Sequence, residues 1–252
     1  MAEQPLLVLE KITRILDVFT LMSPTRTVAE IRDATGLPTS TAHRLVANLV
    51  EHGFLDRSGD VYRIGARMAF WAGPAARARD SIELLSPQLK ALRDSTGETA
   101  CFFRAEDLSR VCIAVAETRH GLRREMYVGK IQPLHVGSAG RVILAWRPDL
   151  LERVLAEPLR AMTDATITDP AVLRRVVHDT RSRGYAITEG ERLEAASGLA
   201  APVFDEHSSL VGALTVLGPT LRLDAARCEE LVDEVMLAAD GLTAAFGGRR
   251  PA

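Results

Sequence analysis

The sequence predicts an α+β fold with a small N-terminal domain of helices and a hairpin, and a larger C-terminal domain built on an antiparallel sheet. Two helical patterns joined by a glycine-containing turn occupy residues 27–55, and a hairpin pattern follows them directly. From residue 81 the sequence pattern changes: amphipathic helical segments alternate with apolar runs typical of strands. A chain of 252 residues, 47% of them hydrophobic, is long enough for two cores of ordinary size.

The N-terminal domain begins with two helices whose ends are marked in the sequence. Residues 8–21 carry apolar side chains at helical spacing, which predicts a scaffold helix. Residues 28–35 predict the next helix, because Thr27 is a good N-cap and Glu30, three residues later, completes a capping box. Gly36 favours the end of this helix, since glycine adopts positive φ at little cost.

A further helix restarts after that turn, and its two faces differ in chemistry. One face is an apolar stripe made of Ala42, Leu45, Val46 and Leu49. The opposite face is polar, and no acidic residue occurs between Asp33 and Glu51. Hydroxyl and imidazole groups contact phosphates or base edges, and a guanidinium binds guanine through two hydrogen bonds. We predict that this face binds DNA, with the candidate residues Thr39, Ser40, Thr41, His43, Arg44 and Asn48.

Two short strand patterns follow this helix. Residues 54–57 and 61–64 flank a glycine-containing turn, which predicts a hairpin. A helix-turn-helix with such a hairpin is a winged helix-turn-helix, and we assign it to residues 1–66. Arg57 and Arg63 are the candidate phosphate contacts from the wing. An ordinary solvated helix face, and a motif that docks another protein, stay open as alternatives.

Charge composition limits the DNA affinity that we expect. The chain has 31 Lys and Arg against 33 Asp and Glu, a formal net charge of -2, whereas nucleic-acid domains are often visibly basic. Positive potential must therefore be concentrated on the acid-free helix face and on the wing. We expect modest DNA affinity for each subunit.

The composition also excludes several classes of protein and site. No apolar run reaches the ~18 residues that span a membrane, and the N-terminus lacks a signal-peptide pattern, so we expect a cytoplasmic protein without a membrane partner. The three cysteines lack CxxC spacing, which argues against a zinc finger or a disulfide framework. No metal, cofactor or catalytic residue is predicted, since GxSxG, HExxH and Walker A sequences are absent.

The rest of the chain is divided into a linker, a second domain and a tail. Residues 67–80 are rich in alanine and arginine and predict a linker helix, residues 81–246 form the second domain, and residues 247–252 predict a disordered tail. In the second domain, the predicted helices are 82–95, 138–146, 150–156, 169–183 and 224–246, and the predicted strands are 99–104, 111–118, 126–128, 185–189, 199–204 and 210–217.

Several blocks in this order resemble the IclR family of transcriptional regulators along nearly the whole chain. The winged domain is similar in ITRILDVF, TVAEIRDATGLPTSTAHRLVANLVEHGFL and YRIGARM, and the second domain in REMYVGKIQPLHVGSAGRVILAW and GLAAPVFDEHSSLVGALTVLGP. The resemblance implies a GAF-like effector-binding domain and dimeric binding to operator DNA, often as a dimer of dimers. It implies a ligand-responsive regulator, and it leaves open whether the protein represses or activates.

The resemblance also implies a pocket for a small molecule, commonly an organic or aromatic acid. Ala139 and Gly140 match the family's small-residue pattern and would present backbone N–H groups at a helix N-terminus, which suits a carboxylate. The chain departs from the family at Thr188-Glu189, where many members have two acids, and at Ser197-Gly198, where many have Arg-Cys. The candidate ligand-binding residues are Leu122, Ala139, Gly140, Thr188, Ala196 and Gly198.

A cysteine-dependent redox enzyme is the rival class, because GAF-like domains also occur in such enzymes. Cys101 and Cys112 lie in predicted strands of the second domain. Both stand in apolar runs, where burial raises the pKa of a thiol and makes it inert. We therefore expect structural thiols and no enzymatic activity.

Overall fold

The computed structural model describes residues 7–20, 23–68, 70 and 80–251. Within them the chain forms two units, Met1–Arg79 and Asp80–Ala252. The predicted linker helix, 67–80, lies largely outside the described residues and stays a prediction. No helix of the described part of the chain is long and apolar enough to cross a membrane.

The N-terminal unit is a winged helix-turn-helix, as predicted. The first predicted helix is five residues shorter than 8–21 at its C-terminal end, because Thr20 and Ser23 exchange backbone hydrogen bonds of 3.2 and 3.0 Å and turn the chain. An unpredicted strand of three residues, Thr25–Thr27, precedes the second helix and pairs with the second strand of the hairpin, which completes a three-stranded sheet. The elements are α1 (Leu7–Leu16), β1 (Thr25–Thr27), α2 (Val28–Thr35), α3 (Thr39–Glu51), β2 (Leu55–Ser58) and β3 (Val61–Ile64).

The turn between α2 and α3 follows from the residues that the sequence places there. Thr27 and Glu30 form the predicted capping box, with the Thr27 N–H donating to Glu30 Oε2 at 2.7 Å. Gly36 has a φ of 67° and donates its N–H to the Arg32 carbonyl, which ends α2. The predicted apolar stripe of α3 is buried in the core of this unit, together with Ile15, Ile31, Leu37 and Leu55.

The C-terminal unit is a six-stranded antiparallel sheet with helices on both faces, so the predicted α+β class is confirmed. The elements are α4 (Asp80–Thr96), β4 (Thr99–Glu106), β5 (Ser109–Ala116), β6 (Ile131–Pro133), α5 (Ser138–Trp146), α6 (Pro148–Leu155), α7 (Pro170–Arg183), β7 (Ala186–Glu189), β8 (Ala196–Phe204), β9 (Leu210–Pro219), α8 (Ala225–Glu230) and α9 (Val232–Ala245). The strand order is β6-β5-β4-β9-β8-β7. Alternate residues of the central strands face two separate cores, one covered by α4, α8 and α9 and the other by α5, α6 and α7.

Three predictions in this unit are wrong. Residues 126–128 are not a strand; Met126 is 1% exposed and fills the core from a loop, and the edge strand is β6 instead. The helix predicted for 224–246 is divided into α8 and α9 by a turn at Leu231. Residues 247–251 fold back onto the unit, since the Gly248 N–H donates to the Thr243 carbonyl at 2.7 Å and Arg250 pairs with Asp240 at 2.9 Å.

Candidate functional site

The polar face of α3 is open to solvent and carries no acidic side chain before Glu51. Thr39, Ser40, His43, Arg44 and Asn48 are exposed, and Thr41 is half-buried. Asn48 donates to the Arg44 carbonyl at 3.1 Å. The side chains of His43 and Arg44 have no hydrogen bond or ion pair within the part of the chain that the structure describes. Arg44 therefore presents an uncompensated positive charge beside hydroxyl and amide groups.

The two arginines of the wing are not equivalent. Strand pairing sets Arg57 opposite Tyr62 and Arg63 opposite Asp56, so the two guanidinium groups leave opposite faces of the hairpin. Arg57 donates to the Gly59 carbonyl at 2.8 Å and lies 5.7 Å from the centre of the Tyr62 ring. Arg63 lies 3.7 Å from an Asp56 carboxylate oxygen. Each wing arginine side chain thus already has local partners, whereas the Arg44 side chain has none in the part of the chain that the structure describes.

A cleft in the C-terminal unit lies where the first turn of α5 meets the central strands. It encloses about 480 Å³ not filled by protein atoms, its open mouth included. Gly198 of β8 allows this approach, since a Cβ there would lie 2.9 Å from the Ser138 hydroxyl oxygen. Its lining residues are Phe103, Arg110, Arg124, Met126, Gln132, Gly137, Ser138, Ala139, Thr188, Glu191, Arg192, Leu193, Ala196, Ser197, Gly198, Thr215 and Leu217.

The cleft brings together four of the six residues predicted to bind a ligand, namely Ala139, Thr188, Ala196 and Gly198. Leu122 is not among the lining residues, and its side chain is 62% exposed. Gly140 does not line the cleft either, because it faces the chain that precedes the helix. A Cβ on Gly140 would lie 2.1 Å from the Leu134 carbonyl oxygen, so close backbone packing explains this glycine.

Glu191 occupies part of the helix N-terminus that was predicted to receive a ligand. Its carboxylate accepts the Gly137 N–H at 2.9 Å and forms an ion pair with Arg141. The next two amides, those of Ser138 and Ala139, have no acceptor among the described residues. These two N–H groups remain available to an anion in the cleft.

Three arginines that were not predicted from the sequence line the cleft. Arg110 is the most deeply buried of them. Arg110 is 3% exposed and donates to the Val136 carbonyl and to Gln132 Oε1, both at 2.7 Å. Burial, together with the nearby charge of Arg192, lowers the pKa of Arg110 to about 9. Its Nε, the Gln132 Nε2 and the Thr215 hydroxyl are buried and have no hydrogen-bond partner within the described ranges of the chain. The lining of the cleft thus contains buried hydrogen-bonding atoms to which the described part of the chain supplies no partner.

Arg124 and Arg192 complete this group of cations. Arg124 donates to the Glu194 carbonyl at 2.5 Å. Burial lowers the pKa of Arg192, and the charge of Arg124 lowers it further. Among the described residues, neither these two arginines nor Arg110 forms an ion pair with a carboxylate. No sequence signal marked them as a group, because they lie in three separate segments; Arg124 begins one of the family blocks, whereas Arg110 and Arg192 lie outside the blocks.

The three cysteines are buried free thiols in the two cores of this unit. Burial raises the pKa of the Cys101 thiol well above its ordinary value, and it raises that of Cys228 to about 12. Cys101 and Cys228 are therefore poor nucleophiles. Cys112 differs from the expectation, because its side-chain hydrogen bond with Cys101 lowers the pKa of the Cys112 thiol. The described residues contain no group of three or more His, Cys, Asp or Glu side chains able to hold a metal ion.

Known protein families and structures match this chain over most of its length. The family described as IclR helix-turn-helix domain matches residues 8–59, and the one described as bacterial transcriptional regulator IclR C-terminal matches residues 75–244. The transcriptional repressor IclR of Escherichia coli (strain K12) is 31% identical over 233 residues, which are 88% of this chain and 84% of that protein. The HTH-type transcriptional regulator BhcR of Paracoccus denitrificans (strain Pd 1222) is 33% identical over 246 residues, 95% of this chain and 88% of its own.

One similar solved structure contains a bound small molecule. It is an IclR homolog from Microbacterium hydrocarbonoxydans in complex with 4-hydroxybenzoate. Its TM-score to this chain is 0.81 and its sequence is 26% identical, with 95% of this chain and 99% of that chain covered.

Proposed function

Because the chain belongs to the IclR family of bacterial transcriptional regulators, we propose that it binds operator DNA and that binding of a small metabolite lowers or raises its affinity for DNA. The observation that carries this proposal is the polar face of α3, which has no acid before Glu51 and on which the Arg44 side chain has no partner among the described residues. A major groove offers phosphates and base edges to such a face. The family consists of transcriptional regulators rather than enzymes.

The cleft of the C-terminal unit is the proposed effector site. Its open amides at Ser138 and Ala139 and its arginines suit an acidic metabolite, an organic or aromatic acid. The complex of an IclR homolog with 4-hydroxybenzoate supports effector binding in this fold. Effector binding in the cleft would stabilise one of two states of the protein, and these two states would differ in the affinity of α3 for DNA.

Self-association is part of the proposal, because a helix-turn-helix reads a two-fold operator as a dimer. We propose a homodimer or a dimer of dimers, with one α3 for each half-site. A regulator of this kind acts where the chromosome is, which in bacteria is the cytoplasm. Double-stranded operator DNA, the effector and further copies of the chain are then the partners.

The test is a competition assay with DNA fragments selected from the genome by the full-length protein. Arg44→Ala should keep the fold and lose about 1 to 3 kcal/mol of affinity for the selected fragment relative to random DNA. Arg174→Ala is the matched control, because Arg174 is an exposed arginine of the other unit that pairs with Glu152. If Arg44→Ala binds the selected fragment as the control does, the DNA-binding face is not α3.

A further inference from the structure

We propose that the cleft of the C-terminal unit binds a small aliphatic dicarboxylate, because three arginines line it and none of them pairs with a carboxylate of the residues that the structure describes. The inference rests on the proposed effector role of the cleft and deepens it by fixing the charge of the ligand. Arg110 extends from β5, Arg124 lies in the loop between β5 and β6, and Arg192 follows β7. The three cations therefore reach the cleft from three different segments.

The charge balance of the lining requires negative charge from outside the chain. Glu191 is the one acidic residue of the lining, and its carboxylate is already held by Arg141 and by the Gly137 N–H. The hydrogen bonds described for Arg110 and Arg124 go to neutral oxygens, two of them at Val136 and Glu194. A buried cation that has no anionic partner is strongly unfavourable, so an anionic ligand would stabilise this arrangement.

The three arginines line one cleft and carry like charges. The charge of Arg192 contributes to the lowered pKa of Arg110, and the charge of Arg124 contributes to the lowered pKa of Arg192. One carboxylate compensates one or two neighbouring cations and leaves the third unpaired. Two carboxylates separated by a short carbon chain compensate all three cations, and arginine binds carboxylates through paired hydrogen bonds.

Neutral groups of the cleft match the rest of such a ligand. The amides of Ser138 and Ala139 and the unpartnered Gln132 Nε2 are donors suited to carboxylate oxygens. The Thr215 hydroxyl is buried without a partner and also lines the cleft. Phe103, Met126 and Leu217 supply apolar surface for the carbon chain; the limited space of the cleft favours a chain of only a few carbons.

The first experiment is isothermal titration calorimetry with the full-length protein and acids matched in chain length. Malonate, succinate, glutarate and adipate are each compared with the monocarboxylate of the same number of carbons, and inorganic phosphate is a further arm. We expect at least one dicarboxylate to bind about tenfold or more tightly than its monocarboxylate partner. Binding of monocarboxylates at equal or higher affinity, binding of phosphate alone, or no binding of any dicarboxylate would overturn the proposal.

Variants of Arg192 test the same point in a folded protein. Arg192→Met should reduce affinity for the bound dicarboxylate by about tenfold or more and bring it close to that of the monocarboxylate, whereas Arg192→Lys should retain most of the difference. Arg174→Met, on the surface of the same unit, should change neither affinity. Circular dichroism checks that each variant is folded. Equal loss of both affinities in Arg192→Met would assign Arg192 a structural role and contradict the charge argument.

DNA binding separates this inference from the proposed function. If a dicarboxylate binds but leaves the affinity for the selected DNA unchanged, the effector role fails and the charge assignment stands. If a monocarboxylate binds more tightly and alters the DNA affinity, the effector role stands and the charge assignment fails.

Discussion

Glu191 joins the first turn of α5 to the guanidinium of Arg141, and we predict that its replacement destabilises the C-terminal unit. Its carboxylate accepts the Gly137 N–H at 2.9 Å and is ion-paired with Arg141. The two side chains are 8% and 13% exposed, respectively. Removal of the carboxylate leaves the mostly buried Arg141 guanidinium without its ion-pair partner and the Gly137 N–H without its acceptor.

Two losses set the size of the effect. Removing one partner of a buried ion pair costs about 3 to 5 kcal/mol, and losing a side-chain acceptor at a helix start costs about 1 kcal/mol. Arg141 keeps some exposure and a hydrogen bond of 3.3 Å to the Ile187 carbonyl, which offsets part of the loss. We therefore expect Glu191→Ala to lower the free energy of unfolding by about 3 kcal/mol. Glu191→Gln keeps an acceptor for Gly137 and should lower it by about 2 kcal/mol.

Urea unfolding followed by near-ultraviolet circular dichroism measures this difference. Glu152→Ala is the control, because Glu152 pairs with Arg174 on the surface, where an ion pair contributes about 0 to 1 kcal/mol. If Glu191→Ala unfolds at the same urea concentration as the control, the Arg141–Glu191 pair does not stabilise the unit and the reasoning is refuted.

The remaining predictions concern the DNA-binding face and the cleft. Leu45 is 8% exposed in the core of the N-terminal unit, so Leu45→Ala should reduce its stability by about 2 to 5 kcal/mol in thermal unfolding, and an unchanged midpoint would contradict this packing. With three or four phosphate contacts per subunit, log K for DNA against log salt should have a slope of about -6 to -7 for a dimer, whereas a slope near zero would favour protein docking. Dicarboxylate affinity should weaken as pH rises above about 9, because the pKa of Arg110 is lowered to about 9 and the neutral guanidine no longer attracts the anion. Calorimetry between about pH 7 and pH 10 measures this change, and an Arg110→Met variant should lack it.

Local signals in the sequence were sufficient for α2, α3 and the turn between them. The capping box of Thr27 and Glu30, the positive φ of Gly36 and the apolar stripe of α3 each depend on residues within one or two helical turns. Short elements were harder to predict. The three residues of β1 carry no alternating pattern, and the apolar residues at 126–128 were interpreted as a strand although Met126 fills the core from a loop.

The cleft illustrates what a single sequence does not reveal. The resemblance to the family located Ala139 and Gly198, which do line the cleft, because both lie within blocks of similar sequence. Arg110, Arg124 and Arg192 are brought together only by the pairing of strands distant in the sequence. Each of them, taken alone in the sequence, looks like an ordinary surface arginine, since most arginines are exposed.

A half-buried arginine of the same unit, Arg222, shows how the fold compensates a positive charge within the chain. Arg222 donates from Nε and Nη2 to the carboxylate of Glu98 at 2.5 and 2.9 Å, and this pairing raises the pKa of Arg222. Glu98 is 4% exposed, so both charges of that pair are compensated within the chain. Arg110 and Arg192 have no such carboxylate among the described residues, and burial lowers the pKa of both. An uncompensated cation that is removed from water lowers stability. Arg110 and Arg192, which both line the open cleft, are therefore expected at a site that binds an anion and not in a region whose role is to stabilise the fold.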